Sequence, residues 1–172
     1  MPLLIEQCQI VPAFGPVNMA TSANNGDYVS LKNYKHVAVV FHSMIGTAGE
    51  DPTLTIQQAQ DVSGTGVKAL NIVASKAWKK QAATNLLSTG TWSAASGDVS
   101  SNTLTNGTSA EEEALWVVEF DADELDVDNG FDCFRATVAD VGTNAQLGAC
   151  YYILTEPRYQ AQPSSMPSAI GD

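Results

Sequence analysis

This sequence has few basic residues. Of its 172 residues only 8 are Lys or Arg, against 19 that are Asp or Glu, and the formal net charge is −11. Surfaces that bind nucleic acid carry the opposite sign, because Lys and Arg neutralise the phosphates. An anionic membrane surface would also repel so acidic a chain. The composition therefore argues against a nucleic-acid or membrane partner and favours a basic or cation-rich one.

Long apolar runs and cysteine pairs are also missing. No stretch approaches the 18 apolar residues that a transmembrane helix needs. The three cysteines, Cys8, Cys133 and Cys150, are odd in number and widely spaced, so they indicate neither a disulfide framework nor a metal-binding pair. They read as small buried apolar side chains, although Cys133 and Cys150 could lie in adjacent strands.

Motifs for catalysis are scarce. His36 and His42 lie on one predicted strand and share a face, but they are roughly 20 Å apart at about 3.3 Å per residue, so they cannot share a metal ion. The sequence contains no GxSxG motif, and Gly64–Gly66 lacks the features of a phosphate-binding loop. A Ser-His-Asp arrangement assembled from distant positions stays open. We expect no enzyme, no catalytic residue and no cofactor.

What the sequence does contain is a series of short β-strand patterns separated by turn signals. The stronger patterns cover 36–45, 53–61, 114–120, 131–141 and 146–154, and the weaker ones 27–31, 68–80, 103–105 and the surroundings of Trp92. A helix remains an alternative for 68–80. Seven or eight strands with almost no helix predict an all-β protein, an antiparallel β-sandwich with a jelly-roll as the favoured version. The predicted core contains Val37, Val39 and Phe41, or else their opposite-parity neighbours, together with Trp116, Val118, Phe134, Val138 and Ile153.

Both ends of the chain are rich in proline, which biases the backbone towards extended conformations. They also contain more apolar residues than a fully solvated tail would. We therefore predict an N-terminal arm (1–26), a β-sandwich domain (27–155) and a C-terminal arm (156–172), with a core that stays folded when an arm is removed. The candidate interaction residues in the arms are Leu3, Leu4, Ile5, Ile10, Phe14, Tyr159, Met166 and Ile170.

The segment from Glu111 to Asp132 contains ten carboxylates. Its oxygen-rich part invites comparison with a calcium loop, since Ca²⁺ takes six to eight oxygen ligands. The EF-hand register fails. When Glu124 is taken as position 1, Gly130 stands at position 7 and not at position 6, and Arg135 stands at position 12, where a Glu is required. We expect no bound metal and a solvated acidic loop that turns at Asn129-Gly130, with one helical turn over 121–125. The weak metal candidates are Asp121, Asp123, Asp126 and Asp128.

Three tryptophans divide into two groups. Trp116 lies in the apolar run ALWVVEF and is assigned to the core, whereas Trp78 and Trp92 lie among polar residues. Exposed indoles suit a carbohydrate-binding face, and packing within loops is the alternative.

Three long stretches carry a resemblance to a known group of proteins. They are DYVSLKNYKHVAVVFHSMIGTAGEDPTLTIQQAQDVSGTGVKALN, ALWVVEFDADELDVDNGFDCFRATVADVGTNAQLGACYYIL and EPRYQAQPSSMPSAIGD. The chain resembles, over about residues 27–172, small virion-associated proteins encoded among the head genes of tailed bacteriophages and prophages. The resemblance implies a head decoration (cement) protein or a related structural protein with a β-sandwich or jelly-roll core. It carries over no catalytic residue.

We therefore expect a non-enzymatic virion structural protein, a phage head decoration protein that binds and stabilises the capsid lattice. Its expected partners are the major capsid protein and copies of itself, as a homo-oligomer, and its expected place is the capsid surface after assembly in the host cytoplasm. The alternatives are another virion component (a tail, head–tail adaptor or surface-adhesion module) and, less favoured, a β-sandwich hydrolase.

Overall fold

A computed structural model describes residues 3–159 and 162–170 of the chain. Residues 1–2, 160–161 and 171–172 of the two predicted arms lie outside the described residues. The strands in chain order are β1 (Cys8–Asn18), β2 (Asn24–Asn25), β3 (Val29–Ser30), β4 (Tyr34–Ser43), β5 (Thr53–Ala59), β6 (Lys68–Ala69), β7 (Ala77–Ala82), β8 (Ser93–Ala94), β9 (Val99–Ser100), β10 (Thr103–Thr105), β11 (Glu113–Asp121), β12 (Cys133–Val138) and β13 (Leu147–Pro157). The helical segments of the described residues are single 3₁₀ turns at Leu4–Glu6, Ala74–Lys76, Leu86–Ser88, Ala122–Glu124, Val127–Asn129 and Pro163–Ser165.

The strands form two antiparallel sheets that enclose one core. The first sheet has the order β1-β13-β4-β11-β7-β8, and the second has the order β2-β12-β5-β10-β9, with β3 paired to β12 and β6 to β5. The prediction of an all-β antiparallel sandwich is confirmed. Among the described strands seven have six residues or more, which agrees with the seven or eight expected, and the others are pieces of two or three residues. The jelly-roll version stays a prediction.

Strict alternation along the strands produces the sandwich. In β4, Val37, Val39 and Phe41 are fully buried, while the residues between them are only half-buried on the outer face. The same alternation in β11 and β12 buries the predicted core residues Trp116, Val118, Phe134 and Val138.

Ile153 was wrongly placed in the core. On β13 the inward positions belong to Tyr152 and Leu154, which are fully buried, and Ile153 lies opposite Ala38 and Ile10 on the outer face. A shift of one residue exchanges the two faces of a strand, and the near-continuous apolar run of this segment does not reveal which parity points inward.

Aromatic side chains join the two sheets. Phe134 of the second sheet lies 4.8 Å from the ring of Tyr152 in the first sheet and 5.0 Å from that of Phe120, between ring centroids. The hydroxyl of Tyr152 accepts a hydrogen bond from the backbone N–H of Ala136 at 2.7 Å. These contacts hold the two sheets face to face.

The predicted N-terminal arm belongs in large part to the sandwich. Strand β1 forms an edge of the first sheet and pairs with β13 from Cys8 opposite Thr155 to Asn18 opposite Leu147. Its prolines are tolerated because an edge strand has one side without ladder hydrogen bonds, and the register shifts twice after Pro12. Residues 8–18 therefore form a core element and not a separable arm.

The C-terminal segment also folds back on its own domain. Strand β13 continues to Pro157, beyond the predicted boundary at residue 155. Further on, the hydroxyl of Tyr34 donates to the carbonyl of Pro167 at 2.7 Å, and the N–H of Ser30 donates to the carbonyl of Ala169 at the same distance. Ala169 is buried by these contacts.

Two smaller expectations also need correction. The segment 68–80 is not one strand but β6, a 3₁₀ turn and the first part of β7. Cys133 lies in the second sheet and Cys150 in the first, so they are not neighbours in adjacent strands. All three cysteines are buried and form no disulfide.

Candidate functional site

A row of apolar side chains crosses the outer face of the first sheet. Residues that lie directly opposite each other in neighbouring strands project on the same face, so the pairing register identifies the row. Across β1, β13, β4, β11, β7 and β8 its members are Pro12, Tyr151, Val40, Val117, Trp78 and Ala94. We call this set the apolar row. It passes between two groups of charged side chains described below.

At the β7–β8 end of the apolar row lies a surface cleft of about 440 Å³, lined by Trp78, Trp92, Val117 and Glu119. We call it the tryptophan cleft. Trp78 is 41% exposed and Trp92 is 44% exposed, so each indole is half-buried and half open to solvent. The ammonium of Lys80 lies 4.7 Å from the ring centroid of Trp92.

Local structure explains how Trp92 reaches this place. The segment before it is rich in Ser, Thr and Gly and forms no long strand, but β8 begins directly after Trp92 and pairs with β7 through Ser93 opposite Lys79. The hydroxyl of Ser93 donates to the carbonyl of Lys79 at 3.2 Å. This short pairing carries Trp92 to the outer side of β7, beside Lys80.

The two histidines lie on the outer face of β4, each paired with carboxylates of β11. The Nδ1 atom of His36 lies 2.7 Å from Asp121 Oδ1, and its Nε2 atom lies 3.2 Å from Glu119 Oε2. With both ring nitrogens engaged by carboxylates, His36 is not placed to accept a proton from a Ser or Cys nucleophile.

His42 makes a similar contact at the other end of the face. Its Nε2 atom lies 2.8 Å from Glu113 Oε1, and the other oxygen of Glu113 accepts a hydrogen bond from the N–H of Leu86 at 2.8 Å. Burial opposes ionisation of Glu113, but the hydrogen bonds from His42 and Leu86 outweigh it, so the pKa of Glu113 is below its ordinary value. Both contacts tie β11 to its neighbours and do not assemble a catalytic triad.

The four weak metal candidates do not converge. The carboxylate of Asp121 accepts hydrogen bonds from Lys76 Nζ at 2.8 Å and from His36. The carboxylate of Asp126 pairs with Lys68 and accepts from the Asn129 amide. Asp123 and Asp128 are exposed. In residues 3–159 and 162–170 no group of three or more His, Cys, Asp or Glu side chains is placed to hold a metal ion.

Lysines from elsewhere in the fold lower the charge of the acidic loop. Hydrogen bonds from Lys76 and then from His36 hold the pKa of Asp121 below its ordinary value, and Lys68 and Asn129 do the same for the pKa of Asp126. The sequence contains no Lys or Arg between Lys80 and Arg135, so a scan along the chain does not show this neutralisation.

The acidic loop is also held by a buried amide. Gln58 on β5 is buried, its carbonyl oxygen accepts from the N–H of Asp126 at 2.9 Å, and its NH₂ group donates to Ala69 at 3.0 Å. The predicted turn at Asn129-Gly130 is confirmed by a left-handed backbone at Gly130, where φ is 80°. The predicted helical turn is the 3₁₀ turn Ala122–Glu124.

Six of the eight interaction candidates expose large apolar side chains, and two do not. Phe14 and Met166 pack against the core of their own domain. The exposed candidates are Leu3, Leu4, Ile5, Ile10, Tyr159 and Ile170.

Four of the exposed candidates belong to the two ends of the chain where these run side by side. A cleft of about 420 Å³ beside the β1–β13 pair is lined from one end by Leu4 and residues 6–8 and from the other by residues 155–157. Leu4 lines this cleft, and Leu3, Ile5 and Tyr159 are exposed apolar residues within one or two positions of its lining residues along the chain; we call these four residues the terminal patch. Leu4 is 68% exposed and Tyr159 is 67% exposed.

Comparisons with protein-family models, with curated proteins and with solved structures gave no match to this chain. Within the described part of the chain, no helix has the length and apolar character needed to cross a membrane. The candidates for function are therefore the two surfaces that the fold assembles, the terminal patch and the tryptophan cleft with its apolar row.

Proposed function

We propose that this protein is a non-enzymatic structural component of a virion, a decoration protein that binds the capsid surface of a tailed phage and stabilises its lattice. Its partners are the major capsid protein and further copies of itself, and it joins the capsid in the host cytoplasm. The observation that supports this proposal is the terminal patch, in which large apolar side chains from both ends of the chain lie exposed beside a closed sandwich.

Exposed apolar clusters on a folded domain mark sites of association. Each side chain of the terminal patch that becomes fully buried against a partner contributes about 1.5–3 kcal/mol, before the cost of ordering the segment. The protein carries a net charge of −11, which disfavours contacts between copies outside the apolar patch and so directs association to the patch. Copies joined in a homo-oligomer contact several lattice sites at once, so a patch of moderate affinity gives tight overall binding.

The test uses a triple variant, Leu3→Ser with Leu4→Ser and Ile5→Ser, and capsids stripped of this subunit. We expect co-sedimentation to weaken by at least about tenfold, equal to ~1.4 kcal/mol of binding free energy. The matched control is Leu87→Ser, because Leu87 is a fully exposed leucine far from the terminal patch in the sheet order. Both variants should melt at the wild-type temperature. If the triple variant binds capsids as well as the wild type, the terminal patch is not the anchor.

One observation favours a second role within the virion, that of a surface-adhesion module. The tryptophan cleft lies at the β7–β8 edge of the first sheet, whereas the terminal patch lies at the opposite edge beside β1. Cryo-electron microscopy of the virion distinguishes the two positions, on the capsid and on the tail. Density on the capsid with β1 facing the lattice supports decoration, and density on the tail supports the alternative.

A further inference from the structure

We infer that the tryptophan cleft binds a neutral saccharide, with Trp78 and Trp92 as stacking surfaces and Glu119 as a hydrogen-bond acceptor. This inference deepens the adhesion role named above. It does not depend on capsid binding, so each can fail without the other.

The two indoles supply the apolar part of the site. Each is half-exposed, which leaves aromatic surface open to a ligand, while Trp78 is fixed on β7 opposite Val117 of β11 and the ring of Trp92 lies against the Lys80 ammonium. A pyranose ring has a flat face of C–H groups that covers such a surface, and its hydroxyls point outward around the edge. Val117, which lies on β11 opposite Trp78, extends the apolar floor of the cleft.

Charged groups at the rim supply the polar part. The carboxylate of Glu119 lies on the wall of the cleft, and its contact with His36 Nε2 at 3.2 Å fixes its orientation. A carboxylate accepts hydroxyl hydrogen bonds that are stronger than those between neutral groups. The Lys80 ammonium beside Trp92 can donate to hydroxyl or ring oxygens.

One charge of each sign, Glu119 and Lys80, borders the cleft, so neither a cation nor an anion meets a uniformly complementary surface there. The ammonium of Lys80 already lies 4.7 Å from the ring centroid of Trp92, so a ligand cation would meet a like charge at the same aromatic face. A ligand anion would meet Glu119 and a protein of net charge −11. A neutral, hydroxyl-rich ring avoids both penalties. The cleft volume of about 440 Å³ lies within the ordinary range for small-ligand sites.

The sheet order allows this site and the terminal patch to act together. Strands β1 and β7 are separated by β13, β4 and β11, which places them about 19 Å apart at ~4.8 Å per strand. A protein anchored by its β1 edge therefore keeps the tryptophan cleft open to the surroundings.

The experiment titrates the full-length protein with maltotriose, cellotriose and triacetylchitotriose, followed by tryptophan fluorescence and calorimetry up to about 10 mM sugar, where a weak complex is still detected. We expect saturable binding of at least one trisaccharide. Trp92→Ala and Glu119→Gln should each weaken that binding by about tenfold or more. Leu87→Ala, an exposed residue of the same inter-strand segment outside the cleft lining, should leave it unchanged.

Four results would overturn the inference. They are no binding of any of the three sugars, binding that persists in both Trp92→Ala and Trp78→Ala, tighter binding of tetramethylammonium chloride than of the sugars, and a concentration-dependent dimer of the wild type that Trp92→Ala abolishes without any sugar binding. Trp92 precedes β8 in a surface segment, so its variant folds even if Trp78→Ala does not, and the urea midpoint of each variant verifies this.

Discussion

At the scale of single residues, a few buried aromatic side chains decide whether the sandwich holds together. Trp116 is fully buried, and its ring centroid lies 5.2 Å from that of Phe41 on the neighbouring strand. Its indole N–H has no hydrogen-bond partner among the described residues. Its contribution to stability therefore comes from packing and burial.

Replacement of Trp116 by Ala should lower the free energy of unfolding by about 3–5 kcal/mol, because it removes buried apolar surface and leaves a cavity. Urea denaturation measures the change. The matched control is Trp92→Ala at the half-exposed surface position, which should cost less than about 1 kcal/mol. A loss of less than about 1 kcal/mol for Trp116→Ala would contradict the packing of Trp116 in the core.

A second prediction at this scale concerns acid stability. The hydrogen bond from Lys76, followed by that from His36, lowers the pKa of Asp121. A carboxylate whose pKa is depressed by folding stabilises the protein above its unfolded value of about 3.9, and this contribution is lost as the pH falls through the folded pKa. The urea midpoint of the wild type should therefore fall more steeply below about pH 4 than that of Asp121→Asn.

The comparison for this prediction is Asp123→Asn, which changes an exposed aspartate two residues away. The urea midpoint of Asp123→Asn should follow that of the wild type from pH 7 down to the lowest pH at which the protein is still folded. Parallel curves for the wild type and Asp121→Asn would show that the contacts of Asp121 with Lys76 and His36 do not contribute to stability.

At the scale of elements, strand β1 combines the character of an arm with the position of a core strand. It contains the prolines and exposed Ile10 that indicate an interaction segment, yet Cys8 and Ala13 are buried and β1 pairs along β13. Met19, directly after the strand, is fully buried. The apolar residues of this segment are therefore divided between buried positions of the protein's own domain and its surface.

Two deletions distinguish the exposed residues at the N-terminal end from strand β1. Removal of residues 1–6 should leave the melting temperature within a few degrees of the wild type, because Leu3, Leu4 and Ile5 are exposed. Removal of residues 1–19 should destabilise the domain by several kcal/mol, of the order of its whole stability, since it uncovers the edge of β13 and removes buried side chains. A domain that melts normally without residues 1–19 would contradict the role of β1 as a core strand.

At the scale of the whole molecule, the three cysteines report on three separate buried regions. Cys150 lies in the core between the sheets, Cys133 lies in a smaller cluster with Tyr28 and Ala59, and Cys8 donates to the Leu4 carbonyl of the N-terminal segment at 3.3 Å. Cys8, Cys133 and Cys150 are buried and form no disulfide, and burial raises the pKa values of Cys8 and Cys150. Thiolates are the reactive form, so both burial and the raised pKa values slow their reaction.

Ellman's reagent should therefore react with the native protein only as fast as the protein opens, and should titrate three thiols in concentrated urea. A reductant should not change the melting temperature, because no disulfide contributes to stability. Rapid reaction of Cys133 or Cys150 in the native protein would indicate that the sandwich is more open than described, whereas rapid reaction of Cys8 alone would indicate opening of the N-terminal segment that covers it.

The features that the sequence by itself determined are those that depend on near neighbours. The alternation in HVAVVF and ALWVVEF predicts strands buried on one face, and Asn129-Gly130 and Asp121 with Glu124 predict their turns, because each signal lies within a few residues. The class of fold follows from the number and spacing of such strands.

Tertiary structure alone decided which residues meet across long separations. The parity of β13, which turned Ile153 outward, is set by pairing with β4 and β1. The partner of Asp121 is a lysine 45 residues earlier, and the tryptophan cleft joins residues of three separate segments. Strand order and register create these contacts. A one-residue shift in the pairing of a strand would exchange its inner and outer faces and would break up both candidate surfaces.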